Sequence, residues 1–314
     1  MKRPALPRPL PLALLLLAFC PAGHATGVPR TLRVATWNLE WLVSPGTAQA
    51  ARNACLAGAH AALPCDVALD AARSSADFAM LARYARQLDA DVVALQEVED
   101  AATIARVFPG HDICVTGRHA TQNVGFAIRR GLPHRCEPDL LTLSQDDRAR
   151  RGAVLVVDPG GPGELHLLAV HLKSGCAREP LDAGLPACRL LARQLPRVAD
   201  WIAGQAAAGH RMAVLGDFNR SYTPGAGDPA WEALDAGSGA GTRLVDAAAG
   251  TRFQGCYPGQ THTRYIDHVL VGAGRGLGLV PGSFFRVPYA PADVRRYRLS
   301  DHCPVGVLLQ ISTS

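Results

Sequence analysis

Three short runs in the C-terminal third of the chain combine acid, amide and imidazole groups: Gly216-Asp217-Phe218-Asn219, Tyr265-Ile266-Asp267-His268 and Ser300-Asp301-His302. Such a set suits metal-assisted hydrolysis of a phosphoester, in which carboxylates hold a cation and a water while an imidazole moves a proton or neutralises charge. Two upstream runs, Trp37-Asn38-Leu39-Glu40 and Gln96-Glu97, add oxygen donors where hydrophobic segments end. Asn38, Glu97 and Asp301 are hard ligands, which suit Mg²⁺ or Ca²⁺ better than zinc.

Among the histidines, His302 and His171 stand apart. His302 follows Asp301, and Asp267 is available to orient its ring as the carboxylate of a dyad. His171 closes an apolar run and precedes Lys173, the only lysine beyond the first few residues of the chain. A lone compact ammonium among arginines suits a phosphate at that point. His24, His60, His119 and His210 read as structural by default.

These residues need a scaffold that brings segments far apart in sequence to one rim. Short Val/Leu/Ala runs bounded by Gly, Pro or Asp predict strands at 32–38, 91–96, 111–116, 124–129, 153–158, 165–172, 211–216, 266–271 and 304–309. Helical periodicity appears at 77–88, preceded by Ser74 and Asp77 in the pattern of a capping box, and again at 190–205, where Pro196 interrupts it. The turn-rich Asp158–Gly163 predicts an antiparallel hairpin, and Ser44–Arg73 reads as a loop flanking the site. Phe284, Phe285 and Tyr289 read as an inner strand rather than a membrane-touching hairpin. One domain over 26–314, with two packed sheets and helices outside, is the simplest architecture.

Composition narrows the function classes. Lys2, Arg3 and Arg8, then the apolar Leu12–Phe19 and small residues at Gly23 and Ala25, have the layout of a secretory signal over residues 1–25. The apolar stretch is short for a membrane span, and no later segment is long enough, so the expected location is secreted or periplasmic. Removing the signal takes three of the 32 Lys and Arg residues and none of the 27 acidic ones, leaving a net charge of +2. Bulk charge therefore carries no argument for nucleic-acid binding. The local clusters at Arg148, Arg150, Arg151 and at Arg295, Arg296, Arg298 read equally as solvated loops. Of nine cysteines, eight lie beyond the signal. An even count in an exported chain favours disulfides, with Cys55–Cys65 and Cys176–Cys188 the expected local pairs, and no cysteine–histidine spacing favours zinc.

Taken in order, Trp37-Asn38, Gln96-Glu97, His171-Leu172, Gly216-Asp217-Phe218-Asn219, Ile266-Asp267 and Ser300-Asp301-His302-Cys303-Pro304 resemble the endonuclease/exonuclease/phosphatase superfamily, the deoxyribonuclease-I-like fold. The resemblance implies a four-layered α/β sandwich of two mainly antiparallel sheets. It implies Mg²⁺ held by Asn38, Glu97 and Asp301, with Ca²⁺ or Mn²⁺ as alternatives and Glu40 in support. Asp217 and Asn219 would position water and phosphate, Asp267 would orient His302, and His171 would bind a phosphate oxygen or act as general acid. Lys173, Arg118 and Asn123 are the candidate phosphate contacts. The implied activity is that of a monomeric secreted nuclease acting on nucleic acid. A phospholipase C acting on a lipid headgroup, a phosphomonoesterase and a non-catalytic binding module are the alternatives.

Overall fold

Strand β1 (Arg30–Leu42) shows how sequence sets the layers. Leu32 and Val34 face one way, Ala35, Trp37 and Leu39 the other, and nearly every side chain from Val34 on is buried. A strand covered on both faces must lie inside a stack, with another layer on each side. The chain is described here by a computed structural model that covers Met1 and residues 30–312 except 71, 119, 145–148, 226, 240, 261 and 262. The expected signal segment, His24, His119 and Arg148 thus lie outside the described residues.

The first sheet comprises β1, β2 (Val92–Val98), β3 (His111–Val115), β4 (Asn123–Arg129), β11 (Leu277–Leu279), β12 (Phe285–Arg286) and β13 (Val305–Ile311), in the order β11-β13-β1-β2-β4-β3 with β12 beside β13. The second comprises β5 (His134–Leu140), β6 (Gly152–Val157), β7 (Leu165–His171), β8 (Met212–Asp217), β9 (Arg243–Asp246) and β10 (Asp267–Ala273), in the order β5-β6-β7-β8-β10-β9. Each is antiparallel except for one central parallel pair, β1 with β2 and β7 with β8. The hairpin predicted around Asp158–Gly163 joins β6 to β7.

One hydrophobic cluster fills the space between the sheets, and two more lie on their outer faces. Helices α3 (Ser75–Leu88) and α4 (Ala101–Val107) cover the first sheet; α5 (Pro186–Ala208) and α6 (Pro229–Asp235) cover the second. The result is the expected four-layered α/β sandwich. Helix α3 begins with the predicted capping box, Ser74 and Asp77 satisfying each other's backbone N–H, and it buries Phe78, Leu81, Ala85 and Leu88. Helix α5 is longer than its periodicity suggests. It runs through Pro196 and stops at Gly209, whose left-handed φ of 78° caps the last turn.

The segment Ser44–Arg73 is not the loop that its composition suggests. It holds α1 (Pro45–Leu56) and α2 (Cys65–Asp70), stapled by the expected Cys55–Cys65 disulfide. Ser44 caps α1 by accepting from the Thr47 N–H, Pro45 takes the first helical position, and Ala48, Ala51, Leu63 and Ala68 form a small core of their own. The second expected disulfide, Cys176–Cys188, is present, joined by Cys114–Cys136 and Cys256–Cys303. Phe285 lies in β12 against β13, and Tyr289 is buried, so neither belongs to an exposed hairpin. Among the described residues no helix is long and apolar enough to cross a membrane.

Candidate active site

The inward faces of the strands turn from apolar to polar at one rim. Leu32 and Val34 on β1 are followed in phase by Thr36 and Asn38, and Val92 and Ala94 on β2 by Gln96. Leu165, Leu167 and Ala169 on β7 are followed by His171, and Ala213 and Leu215 on β8 by Asp217. On antiparallel β10 the order reverses, so Asp267 precedes Val269 and Val271. Because side chains alternate along a strand, this shared phase points all these groups into the same space. Register completes the alignment: His171 lies beside Asp217 and Asp217 beside Asp267, one rung across three strands of the second sheet. The first sheet faces that rung with Asn38 and Glu97.

The contacts form a continuous chain. The Asn38 amide donates to Asp217 Oδ2 at 3.0 Å and to Glu97 Oε1 at 3.2 Å, and the Trp41 N–H donates to Glu97 Oε2 at 3.1 Å. The Asn219 N–H donates to Asp217 Oδ1 at 2.7 Å, while its side-chain amide donates to the Leu172 carbonyl. His302 Nδ1 lies 2.7 Å from Asp267 Oδ2, and its Nε2 lies 3.9 Å from Asp217 Oδ2 and 4.0 Å from Asp301 Oδ1. His171 Nε2 sits 3.5 Å from Asp217 Oδ2 and 3.8 Å from Glu97 Oε1. His171 thus has two carboxylate neighbours, one from each sheet.

Electrostatics divides the groups by role. Burial pushes the Asp217 carboxyl up, aided by Asp267 and opposed by His302, to about 7. Burial alone would depress His302, but Asp267, Asp217 and Asp301 outweigh it and hold the imidazole proton well above the ordinary histidine range. His171 moves the other way: burial, then Arg150, His302 and Lys173, depress it well below that range. The site thus holds a charged imidazole, a neutral one and a carboxyl that titrates near neutrality.

Backbone strain gathers at the same rim. Seven described non-glycine residues have positive φ, and Glu40, Trp41, Glu97 and Asn219 are four of them, at 45°, 51°, 58° and 53°. Each left-handed residue costs about 1–3 kcal/mol unless its surroundings impose it. Arg73 supplies part of that frame. It is buried and donates to the carbonyls of Leu39, Trp41, Arg298 and Leu299, bracing the Glu40 corner against the segment that carries Asp301. Behind them, the Trp37 indole donates to Tyr289 Oη and to the His302 carbonyl, which also accepts from the Tyr289 hydroxyl. Gly216 is required by contact, since a Cβ there would lie 2.0 Å from the Val170 carbonyl oxygen.

Asp301 is the most exposed of the expected ligands. Its N–H donates to Glu40 Oε2 at 3.0 Å; burial and then the negative Asp301 carboxylate raise the Glu40 pKa, against Arg73, Arg298 and that hydrogen bond, which lower it. Among the described residues, neither Glu97 nor Asp217 has an Arg or Lys within ion-pair distance. The half-buried Glu97 carboxylate without an Arg or Lys, together with the Asn38 amide and the nearby Asp301, is a donor set that fits a hard divalent ion. Asn38, Glu97 and Asp301, with Glu40 beside them, are the residues that would hold it.

The remaining sequence candidates separate. Lys173 lies next to the site and has no carboxylate partner among the described residues; burial and Arg150 lower its pKa. Arg118 lines a cleft of about 860 Å³ together with Trp41, Gln122 and Arg150, walled on its far side by residues 60–64 of the stapled insert. Asn123 is committed elsewhere: its amide donates to the carbonyls of Glu99 and Ala120, and its oxygen accepts from Thr116. It shapes the loop rather than facing a phosphate. Arg150, which sequence treats as a surface charge, donates to the carbonyls of His171 and Leu172 and to Gln122, and feels Glu97 and Asp217. With Lys173 it makes this side of the site cationic.

Comparison with known proteins agrees with the fold. The family described as Endonuclease/Exonuclease/phosphatase matches residues 35–302. No curated protein matches the chain. Among solved structures, truncated Caenorhabditis elegans TDP2 superposes with a TM-score of 0.56 at 15% identity, covering 90% of this chain and 98% of that one. D. rerio TDP2 complexed with single strand DNA product gives 0.55 at 15%, covering 89% and 98%. ANGEL2, a 2',3'-cyclic phosphatase in complex with adenosine-2',3'-vanadate, gives 0.55 at 15%, covering 90% and 96%. Layered sheets closing over an acid–imidazole rim are the framework of a phosphoric ester hydrolase. The chain belongs to the endonuclease/exonuclease/phosphatase family.

Proposed function

We propose that this protein is an exported, divalent-metal-dependent phosphodiesterase that hydrolyses nucleic acid by in-line attack of water. The observation that carries the reading is the rung His171–Asp217–Asp267 with its contacts: Asp217 takes the Asn219 N–H on one oxygen and the Asn38 amide on the other, burial raises it, and Asp267 orients His302 beside it. A base is most useful when its pKa lies near the working pH. Asp217 takes the proton of the attacking water, and Asn219 fixes the carboxylate that receives it.

His302, kept charged by Asp267, faces the phosphoryl oxygens and offsets the negative charge that develops there. His171 is neutral, so its part is hydrogen bonding to a phosphate oxygen rather than general acid catalysis. Lys173 and Arg150 add positive charge on the side where the substrate backbone leaves the site. What a bound Mg²⁺ supplies, held by Asn38, Glu97 and Asp301, is neutralisation of a non-bridging or leaving oxygen. Support for nucleic acid as substrate comes from the cationic cleft and from the single strand DNA product and adenosine-2',3'-vanadate bound by two of the structural neighbours. The inward packing of Phe284 and Phe285 removes the feature that favoured a lipid surface. Four disulfides and the basic–apolar leader support export.

The test is hydrolysis by the oxidised protein with Mg²⁺, with and without EDTA, on plasmid DNA, RNA, sphingomyelin vesicles and a phosphomonoester. Metal-dependent cleavage of a polynucleotide, reduced ~10²–10⁴-fold in His302→Ala, is expected. Release of phosphocholine with the plasmid left intact would transfer the site to lipid, and inertness on all four would return the protein to the binding-module reading.

A further inference from the structure

Beyond the rung Asp217–Asp267 the two strands separate, and the chain leaves them as Asn219-Arg220-Ser221 on one side and Thr263-Arg264-Tyr265 on the other. Between them lies a hollow of about 540 Å³ lined by Arg178, Arg220 and Arg264 with the hydroxyls of Ser221, Thr223 and Thr263. One acid borders it, Asp228, whose two oxygens already accept the N–H groups of Thr223 and Ala230. The described lining therefore carries an excess of positive charge.

Arg220 is the informative member. Its side chain is buried with no carboxylate within ion-pair distance, the exposed Glu179 acting on it only from farther off; Nη1 donates to the carbonyls of Cys176 and Glu179, and Nε is buried without an acceptor. Nη2 has no protein acceptor among the described residues. A buried guanidinium with no carboxylate in contact is costly, and two carbonyls with the solvent-screened Glu179 stabilise the charge only in part. Those carbonyls belong to the loop closed by Cys176–Cys188, so the guanidinium is also held rigidly. Arg178, exposed on that loop, reaches across to donate to the Thr263 hydroxyl and completes the rim. Three arginines converging on one hollow, with hydroxyls between them, form a receptor for a phosphate group.

We infer that this hollow is a second phosphate subsite, which takes the phosphodiester of a nucleotide next to the one being cleaved. Arg220 and Arg264 each lie three residues from the rung, a span of at most about 10–11 Å along the chain. A phosphate in the hollow and one at Asp217 therefore fit a single strand of nucleic acid. This inference rests on the nuclease reading and sharpens it: the preferred substrate carries consecutive phosphates, as an oligonucleotide does and a phospholipid headgroup does not.

The test compares kcat/KM on a short single-stranded oligonucleotide with that on bis(p-nitrophenyl) phosphate, which has one phosphate. Arg178→Ala/Arg264→Ala is the variant, since both side chains are exposed, and circular dichroism checks its fold. The oligonucleotide-to-diester ratio is expected to fall roughly tenfold or more, the scale of lost charge-assisted hydrogen bonds. In EDTA, the slope of log affinity against log salt for the same oligonucleotide should flatten by about 0.7 per lost contact. A ratio and slope equal to those of the unaltered protein overturn the subsite and leave the nuclease reading standing. Failure of the unaltered protein on both substrates overturns the nuclease reading itself.

Discussion

Asp217→Asn should reverse the stability ranking of the metal-free protein between acid and alkaline pH. The Asp217 carboxyl binds its proton up to about 7 in the folded protein, against 3.8 for the ordinary group. A tenfold change in proton affinity is worth about 1.4 kcal/mol, so that gap amounts to about 4 kcal/mol. The sign follows from proton counts. Between 3.8 and about 7 the folded state holds a proton that the unfolded state has released, so stability falls as pH rises through that window. Asparagine carries no such penalty, but its NH₂ must face either the Asn38 amide or the Asn219 N–H, at a cost of about 1–3 kcal/mol.

Urea unfolding in EDTA should therefore place Asp217→Asn below the unaltered protein near pH 4 and above it, by about 1–3 kcal/mol, near pH 8. Turnover with Mg²⁺ should meanwhile drop ~10²–10⁴-fold. Stability curves that run parallel from pH 4 to pH 8 would refute the claim that burial holds a proton on Asp217.

Three other outcomes can be checked. His268 places Nδ1 2.9 Å from Asp246 Oδ2 and Nε2 2.9 Å from the Arg220 carbonyl; burial depresses its proton affinity, but the acid and hydrogen bonds raise it overall. A raised histidine stabilises fully below the ordinary value near 6.5 and loses that contribution as pH climbs through the folded value, so the ~3–5 kcal/mol cost of Asp246→Asn should be largest at pH 6 and shrink by pH 9 in urea titrations. Gly216→Ala should fold poorly, because its Cβ meets the Val170 carbonyl, and the melting temperature should fall by more than a surface Gly→Ala substitution such as Gly58→Ala lowers it. Replacing Cys55 and Cys65 by serine should loosen the α1–α2 insert by about 2–3 kcal/mol, read as faster hydrogen exchange confined to residues 45–70.

Much of the site was legible because strand pleating is periodic. Polar residues at the ends of apolar runs, such as Asn38, His171 and Asp217, must face the same way as the apolar residues two positions earlier. Two packed sheets with helices outside were the simplest reading of the strand and helix pattern, and the four layers came from the family resemblance. Arg150 and Arg73 were not legible, since each acts through backbone carbonyls brought to it from distant segments, and no local pattern announces such a partner. Asn123 misled for the complementary reason: an amide near a strand start serves a loop carbonyl as readily as a phosphate. The two helices in 44–73 were obscured by weak amphipathicity, and only the Ser44-Pro45 start signalled α1.

The pairing of β13 with β1 joins the two segments that supply Asn38 and His302. Ser300 Oγ donates to the Asn38 carbonyl, the Trp37 indole donates to the His302 carbonyl, and β13 pairs with β1 along its length. His302 lies only three residues before β13, so the strand that pairs with β1 also anchors the segment that sets the imidazole against Asp267. Removing β13 would therefore leave Asp301 and His302 without the strand that fixes them, while the rung His171–Asp217–Asp267 belongs wholly to the second sheet.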